Sequence, residues 1–145
     1  MVNKALTIIT EIKTRLEADG LRVLRYPDDI GRVGNTYPLI LIKEGGKNFD
    51  RATGNRYEYD LPITLVLIGA YGTNRMSKMN DLQNQIYAAL FADATLGGLA
   101  MNVNPISVDT GEIMKGSDLS AFAGHNEAAS FREIQIQFRV QDARR

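Results

Sequence analysis

The stretch from Arg56 to Ile68 constrains this chain more than any other part of it. Tyr57, Tyr59, Leu61, Ile63, Leu65 and Leu67 fall on alternate positions, with Glu58, Asp60, Pro62 and Thr64 between them. Period-two alternation over that length marks a strand with one face in a core, because successive side chains leave a pleated backbone on opposite sides. Val66 and Ile68 make the second face apolar too, so the strand is predicted to run from a half-exposed end into a buried one. A second alternation closes the chain. Ile134, Ile136, Phe138 and Val140 face one way, and Glu133, Gln135, Gln137 and Arg139 face water or another subunit.

Shorter strands are expected around these two. Leu21 to Tyr26 reads as one, ended by Pro27-Asp28-Asp29, and Leu39 to Ile42 as another, buried between Pro38 and the turn residues Lys43-Glu44-Gly45-Gly46. Residues 43 to 55 are rich in Gly, Asn and charge and predict a long hairpin loop projecting from the sheet. Leu99 to Val108 reads as a strand containing Pro105, whose missing N–H argues for an edge position or a bulge. Residues 114 to 129 follow neither period and predict a mobile loop.

Two helices complete the pattern. Val2, Ala5, Leu6, Ile9, Ile12 and Leu16 recur at spacings of three and four across residues 2 to 18, with Gly20 as a C-terminal stop. Met76, Met79, Leu82, Gln83, Ile86, Ala89 and Leu90 repeat that spacing up to about Phe91, and Asp93-Ala94-Thr95-Leu96-Gly97-Gly98 marks the end. Runs of strands without regular βαβ alternation predict an α+β fold. The expected architecture is an antiparallel or mixed sheet with both amphipathic helices on one face, in the order α-β-β-β-α-β-β, as one domain over residues 1–145.

Composition narrows the function. With 44% hydrophobic residues in 145, the chain has enough apolar material for a core without disulfides or metals, and without cysteine it has no disulfide framework, thiolate zinc site or cysteine nucleophile. Lys plus Arg and Asp plus Glu are both 17, which disfavours phosphate gripping as the main activity. The N-terminus lacks a signal-peptide pattern, and the longest apolar run, Leu65 to Ala70, is too short to cross a bilayer. The expectation is a soluble protein made in the cytoplasm, with no membrane partner.

The residues that carry chemistry do not converge. His125 is the only histidine and lies in the Gly- and Ala-rich segment; no Gly-x-Ser-x-Gly elbow is present to make Ser120 or Ser130 a nucleophile. Gly45-Gly46-Lys47 is followed by Asn48 and a strand, so it lacks the rest of a phosphate loop. Asp28-Asp29 has no further ligand at metal spacing and reads as a turn with solvated charges. Neither enzyme activity nor a cofactor or metal is expected. Two features rise above the background. The segment 43–56 carries Lys43, Lys47, Arg51 and Arg56 against Glu44 and Asp50, with Phe49 at its centre, a ring that either buries in a partner or folds back onto the sheet. Gln141-Asp142-Ala143-Arg144-Arg145 forms a basic tail after the last strand, which reads as an ordinary unstructured terminus before it reads as a partner contact. The candidate interface set is Lys47, Phe49, Arg51, Arg56, Asp28, Asp29 and Arg139.

Taken in order, several segments resemble the tail terminator (tail completion) proteins of long-tailed bacteriophages. They are the opening helix, Pro38-Leu39-Ile40-Leu41-Ile42, the long strand from Tyr57 to Leu67, and the helix ending Tyr87-Ala88-Ala89-Leu90-Phe91-Ala92-Asp93. The step Thr95-Leu96-Gly97-Gly98-Leu99 and the strand Ile134 to Val140 follow, and Asp93-x-Thr95-Leu96-Gly97-Gly98 is the most characteristic piece. The resemblance implies a virion structural protein in a hexameric ring at the head-proximal end of the tail. Such a ring caps the tail tube, stops its polymerisation and joins the head connector or neck, touching the sheath where the tail contracts. DNA passes through the lumen without specific binding. The rival expectations are another neck or baseplate ring component, such as a head completion protein, and a small hydrolase or ligand-binding domain using Asp28, Asp29 and His125.

Overall fold

A computed structural model of the protein describes residues 4–26, 29, 38–46, 48–53, 56–70, 72–93, 95–113 and 129–143. Its elements are α1 (Lys4–Ala18), β1 (Arg22–Tyr26), β2 (Leu39–Glu44), β3 (Asn48–Thr53), β4 (Arg56–Ala70), α2 (Arg75–Phe91), β5 (Asn102–Ile113) and β6 (Ala129–Ala143). The fold is α+β with a mixed sheet, and the expected order is present with one addition, the short β3. The sheet runs β1-β2-β4-β6-β5, with β3 on β4 beside β2. Among the described residues β1 and β2 pair in parallel and every other pair is antiparallel.

The spine of the sheet is the pairing of β4 with β6, each 15 residues long and in register from Arg56↔Ala143 to Ala70↔Ala129. At about 3.4 Å per residue this is a ribbon of about 50 Å. The alternation read in Tyr57–Leu67 puts Tyr59, Leu61, Ile63, Leu65 and Leu67 against the helices, beside Ile134, Ile136, Phe138 and Val140 of β6. Both helices cover this one face. From α1 the buried residues are Ala5, Ile8, Ile9, Ile12 and Leu16, and from α2 Met79, Leu82, Ile86 and Leu90. Each such fully buried aliphatic side chain contributes roughly 1.5–3 kcal/mol. The expected stripe on α1 is corrected in one detail: Ile8 is buried and Leu6 is exposed, because the sheet takes the 5-8-9-12-16 face.

The helix ends follow their local chemistry. Gly20 (φ 82) follows α1, with Gly20 N–H donating to Glu17 C=O and Leu21 N–H to Leu16 C=O, the paired bonds of a Schellman stop. The exit from α2 is tighter. Leu96, Gly97 and Gly98 all have positive φ (49, 71 and 90), and the two glycines hold that conformation without a Cβ clash.

The segment expected to be a projecting loop is instead part of the sheet. Residues 48–53 pair antiparallel with Arg56–Asp60, so β2 and β3 lie end to end along one side of β4. The break between them falls at Gly45, whose N–H donates to Pro62 C=O at 2.8 Å. The N–H and C=O positions of one strand residue point to the same neighbour, so the donor that Pro62 lacks faces this break and not β6. That is how a proline fits in a strand paired on both sides. A Cβ at position 45 would meet Pro62 Cγ at 2.7 Å, which accounts for glycine there. The last two strands also run longer than expected: β5 starts at Asn102 and continues to Ile113, and β6 starts at Ala129.

Candidate assembly interface

Among the described residues β5 pairs with β6 alone, so it forms an edge of the sheet with one side unpaired. It is also poorly covered. Residues 104–110 are exposed, and Ile106 and Val108 keep 55% and 37% of their surface in solvent, with Met101 before the strand at 51%. The pairing register shifts between Pro105 and Ser107, so Ile106 stands in an irregularity of the ladder. Pro105 thus occupies both of the places its chemistry allows, an edge strand and a bulge. A long edge with apolar side chains is a template for another strand unless charges guard it. Between Asn102 and Val108 this edge carries none.

The second surface is the face of the ribbon turned away from the helices. Register places Glu58, Asp60, Thr64, Glu133, Gln135, Gln137 and Arg139 there. Arg139 bridges both carboxylates of β4, with Nη2 to Glu58 Oε2 at 3.0 Å and Nη1 to Asp60 Oδ1 at 3.1 Å. Gln141 Nε2 donates to the other oxygen of Glu58 at 3.3 Å, and its own Oε1 accepts from Arg56 Nη1 at 3.3 Å. Arg56 and Arg139 therefore meet in one polar network at the β3–β4 end of the ribbon. Lys4 Nζ donates to Gln141 C=O at 2.7 Å and ties the start of α1 to the same end. At the opposite end the same face turns apolar, with Leu24, Leu39, Leu41, Ile68 and Ala129 buried together.

Of the other expected interface residues, Asp29 lies apart from this network, beside β1. Asp29 closes the turn after β1: its Oδ2 accepts from Arg25 N–H at 3.0 Å, and its own N–H donates to Arg25 C=O at 2.8 Å. Register sets Phe49 opposite Tyr59 and Arg51 opposite Glu58, with a shift between them. Lys47, Asp28, His125 and the segment 114–128 lie outside the described residues, as do Arg144 and Arg145.

The turn after α2 is built by the Asp93 carboxylate. Oδ1 accepts from Thr95 N–H (3.1 Å) and Thr95 Oγ1 (2.8 Å), and Oδ2 accepts from Gly97 N–H (2.7 Å). Arg15 of α1 reaches the same carboxylate at 3.5 Å and hydrogen-bonds Glu11 at 2.8 Å. The Thr95 hydroxyl and the Gly97 and Thr95 amides lower the Asp93 pKa to about 2, and the Glu11 hydrogen bond raises that of Arg15. This is a structural turn that fixes where β5 starts.

A third feature escaped the sequence reading. Arg132 and Ser130 share the parity of Ile134, so β6 carries them onto the helix-covered face, where each is only 4% exposed. The parity of the last strand was the available signal, had it been extended two turns of the pleat toward the N-terminus.

Among the described residues no group of three or more His, Cys, Asp or Glu side chains is placed to hold a metal ion, and no helix is long and apolar enough to cross a membrane. No protein-family model matches this sequence, and no curated protein matches it.

Proposed function

We propose that this chain is a tail terminator of the long-tailed phage type, a structural protein of the virion with no catalytic role. Copies associate edge to surface into a closed ring. The ring seats on the end of the tail tube, halts its growth, and presents its other side to the head connector or neck, and to the sheath where the tail contracts. The observation that carries this reading is the edge of β5, with Met101, Ile106 and Val108 exposed along it. Strand addition at that edge by another copy satisfies its backbone groups and covers its apolar side chains together. Because β5 contacts a different surface on the next copy, the contact is heterologous and closes by rotation into a ring.

The polar face suits the lumen. Glu58, Asp60 and Glu133 offset Arg139 there, so that passing DNA meets no continuous basic track that would hold its phosphates. The β3–β4 hairpin, with Phe49 and Arg51, docks on the tail tube.

The test is light scattering and electron microscopy of the purified protein, alone and with tail tubes. Rings, or a monomer that caps tubes, are the expected result. A stable monomer with no affinity for tubes overturns the reading, and so does substrate turnover that depends on His125 or on Asp28 and Asp29.

A further inference from the structure

A cleft of about 440 Å³ opens between the head of α2 and the β5–β6 pair, lined by Asn74, Arg75, Met76, Thr110, Ser130 and Arg132 among others. Three observations make it unusual. First, Arg132 is buried but its hydrogen-bond partners among the described residues are all neutral: Nη1 donates to Asn80 Oδ1 and Gln83 Oε1, both at 2.7 Å, and Nη2 to Met76 Sδ at 3.4 Å. A guanidinium taken out of water without a counter-charge is costly, and proteins retain one where an anion meets it. Second, Arg132 Nε and Ser130 Oγ are buried and have no hydrogen-bond partner among the described residues. Nε and Nη2 form one edge of the guanidinium fork, and on that edge only the weak thioether acceptor is engaged. A carboxylate or phosphate matches such an edge with two parallel bonds. Third, α2 begins here with no acidic residue in its first turn and no side-chain cap, since Asn74 is left-handed (φ 63) and caps nothing. The amides that precede the first helical bond, Lys78 N–H to Asn74 C=O, lie at the positive end of the helix dipole.

We propose that this cleft is an oxyanion-binding site, in which Arg132, the Ser130 hydroxyl and the first-turn amides of α2 hold a carboxylate or phosphate group. Among the described lining residues none is acidic. Met76, 62% exposed and resting on the same guanidinium, swings aside to admit it. The oxyanion is either a free small anion or a carboxylate of a second copy reaching over the adjoining β5 edge, and the chemistry is the same. The site does not depend on the tail-terminator reading, since the buried charge is present in each chain.

The experiment is nitrogen-15 NMR of the full chain, following the Arg132 Nε–H and the amides of Arg75, Met76 and Ser77. Dilute protein is titrated with inorganic phosphate and with acetate at constant ionic strength, with chloride as the control. A saturable shift of these resonances, half-complete on the order of 1 mM, is expected for a free anion. If they move instead as the protein alone is concentrated and its mass rises, a second copy supplies the carboxylate, and the proposal also stands. Arg132→Lys keeps the charge but loses the two-pronged edge, so binding weakens more than tenfold; Ser130→Ala weakens it about fivefold. Should the lysine variant not fold, the alanine variant carries the comparison. Resonances that ignore phosphate, acetate and protein concentration alike overturn the proposal, as do shifts undiminished in both variants.

Discussion

Placing lysines on the exposed edge is the sharpest test of ring assembly: Ile106→Lys together with Val108→Lys. Ile106 has 55% and Val108 37% of its surface in solvent. Full burial of such side chains contributes roughly 1.5–3 kcal/mol each, so covering what is now exposed adds about 1.5–3 kcal/mol per contact. The double variant removes that gain and requires two ammonium groups to be desolvated in the same contact. Each subunit–subunit association should therefore weaken at least tenfold, since about 1.4 kcal/mol is a factor of ten. A closed ring feels this at every joint. The fold itself should be spared, because both positions are exposed and lysine is well tolerated on edge strands; the stability change should stay within about 0.5 kcal/mol. Analytical ultracentrifugation reads assembly and thermal denaturation reads the fold. If the variant assembles as the parent does, with an unchanged melting temperature, β5 is not the joint and the reasoning fails.

The remaining predictions probe other parts of the molecule. Gly45→Val should cost about 1–3 kcal/mol in urea denaturation, because its Cβ meets the Pro62 ring and carbonyl at 2.7 and 3.0 Å, whereas Gly69→Ala meets only the flexible Met79 Sδ at 2.8 Å and should cost less than about 1 kcal/mol. Asp93 has its pKa lowered from 3.8 to about 2, so its contribution to stability is complete above the higher value and is lost as pH falls through the lower; Asp93→Asn should flatten the pH dependence of the melting temperature between them. Arg139→Ala leaves Glu58 and Asp60 side by side without their bridge and should lower stability by about 1 kcal/mol, less in high salt, as followed by denaturation at two ionic strengths. Phe49→Ala with Arg51→Ala should preserve the fold and weaken capping in a tube-binding assay; capping at the parental affinity would remove the hairpin from the docking surface.

The parts of the fold legible in the sequence are those where one face meets the core. Tyr57 to Leu67 and Ile134 to Val140 showed strand period because the helices cover alternate residues of both. Where a strand is uncovered or its polar residues lie inside, the pattern fades. The exposed run 104–110 in β5 has no buried face to impose alternation, so the pattern stops at Val108 although the ladder with β6 continues to Ile113. Gly, Asn and charge dominate residues 43 to 55 and suggest a loop, yet the side of Arg56–Asp60 turned away from β6 supplies β3 with backbone partners whatever the side chains are.

The two candidate sites are hidden in the sequence for opposite reasons. On the proposed reading the β5 edge is shaped by what a second molecule covers, so inside one chain its apolar residues look misplaced: Ile106 and Val108 are exposed where a strand pattern would bury them. A charged residue facing the core looks misplaced in the other sense. Arg132 sits two residues before Ile134, on the inward parity, and its guanidinium rests among Asn80, Gln83 and Met76. In a monomer optimised only for stability, an apolar side chain would take that place and no charge would need desolvating. Both departures act where β5 and the head of α2 adjoin, since Thr110 and Gly111 of β5 line the Arg132 cleft. A neighbour that adds to the edge would therefore arrive at the mouth of that cleft, and the local rules this chain breaks are broken where a second molecule can restore them.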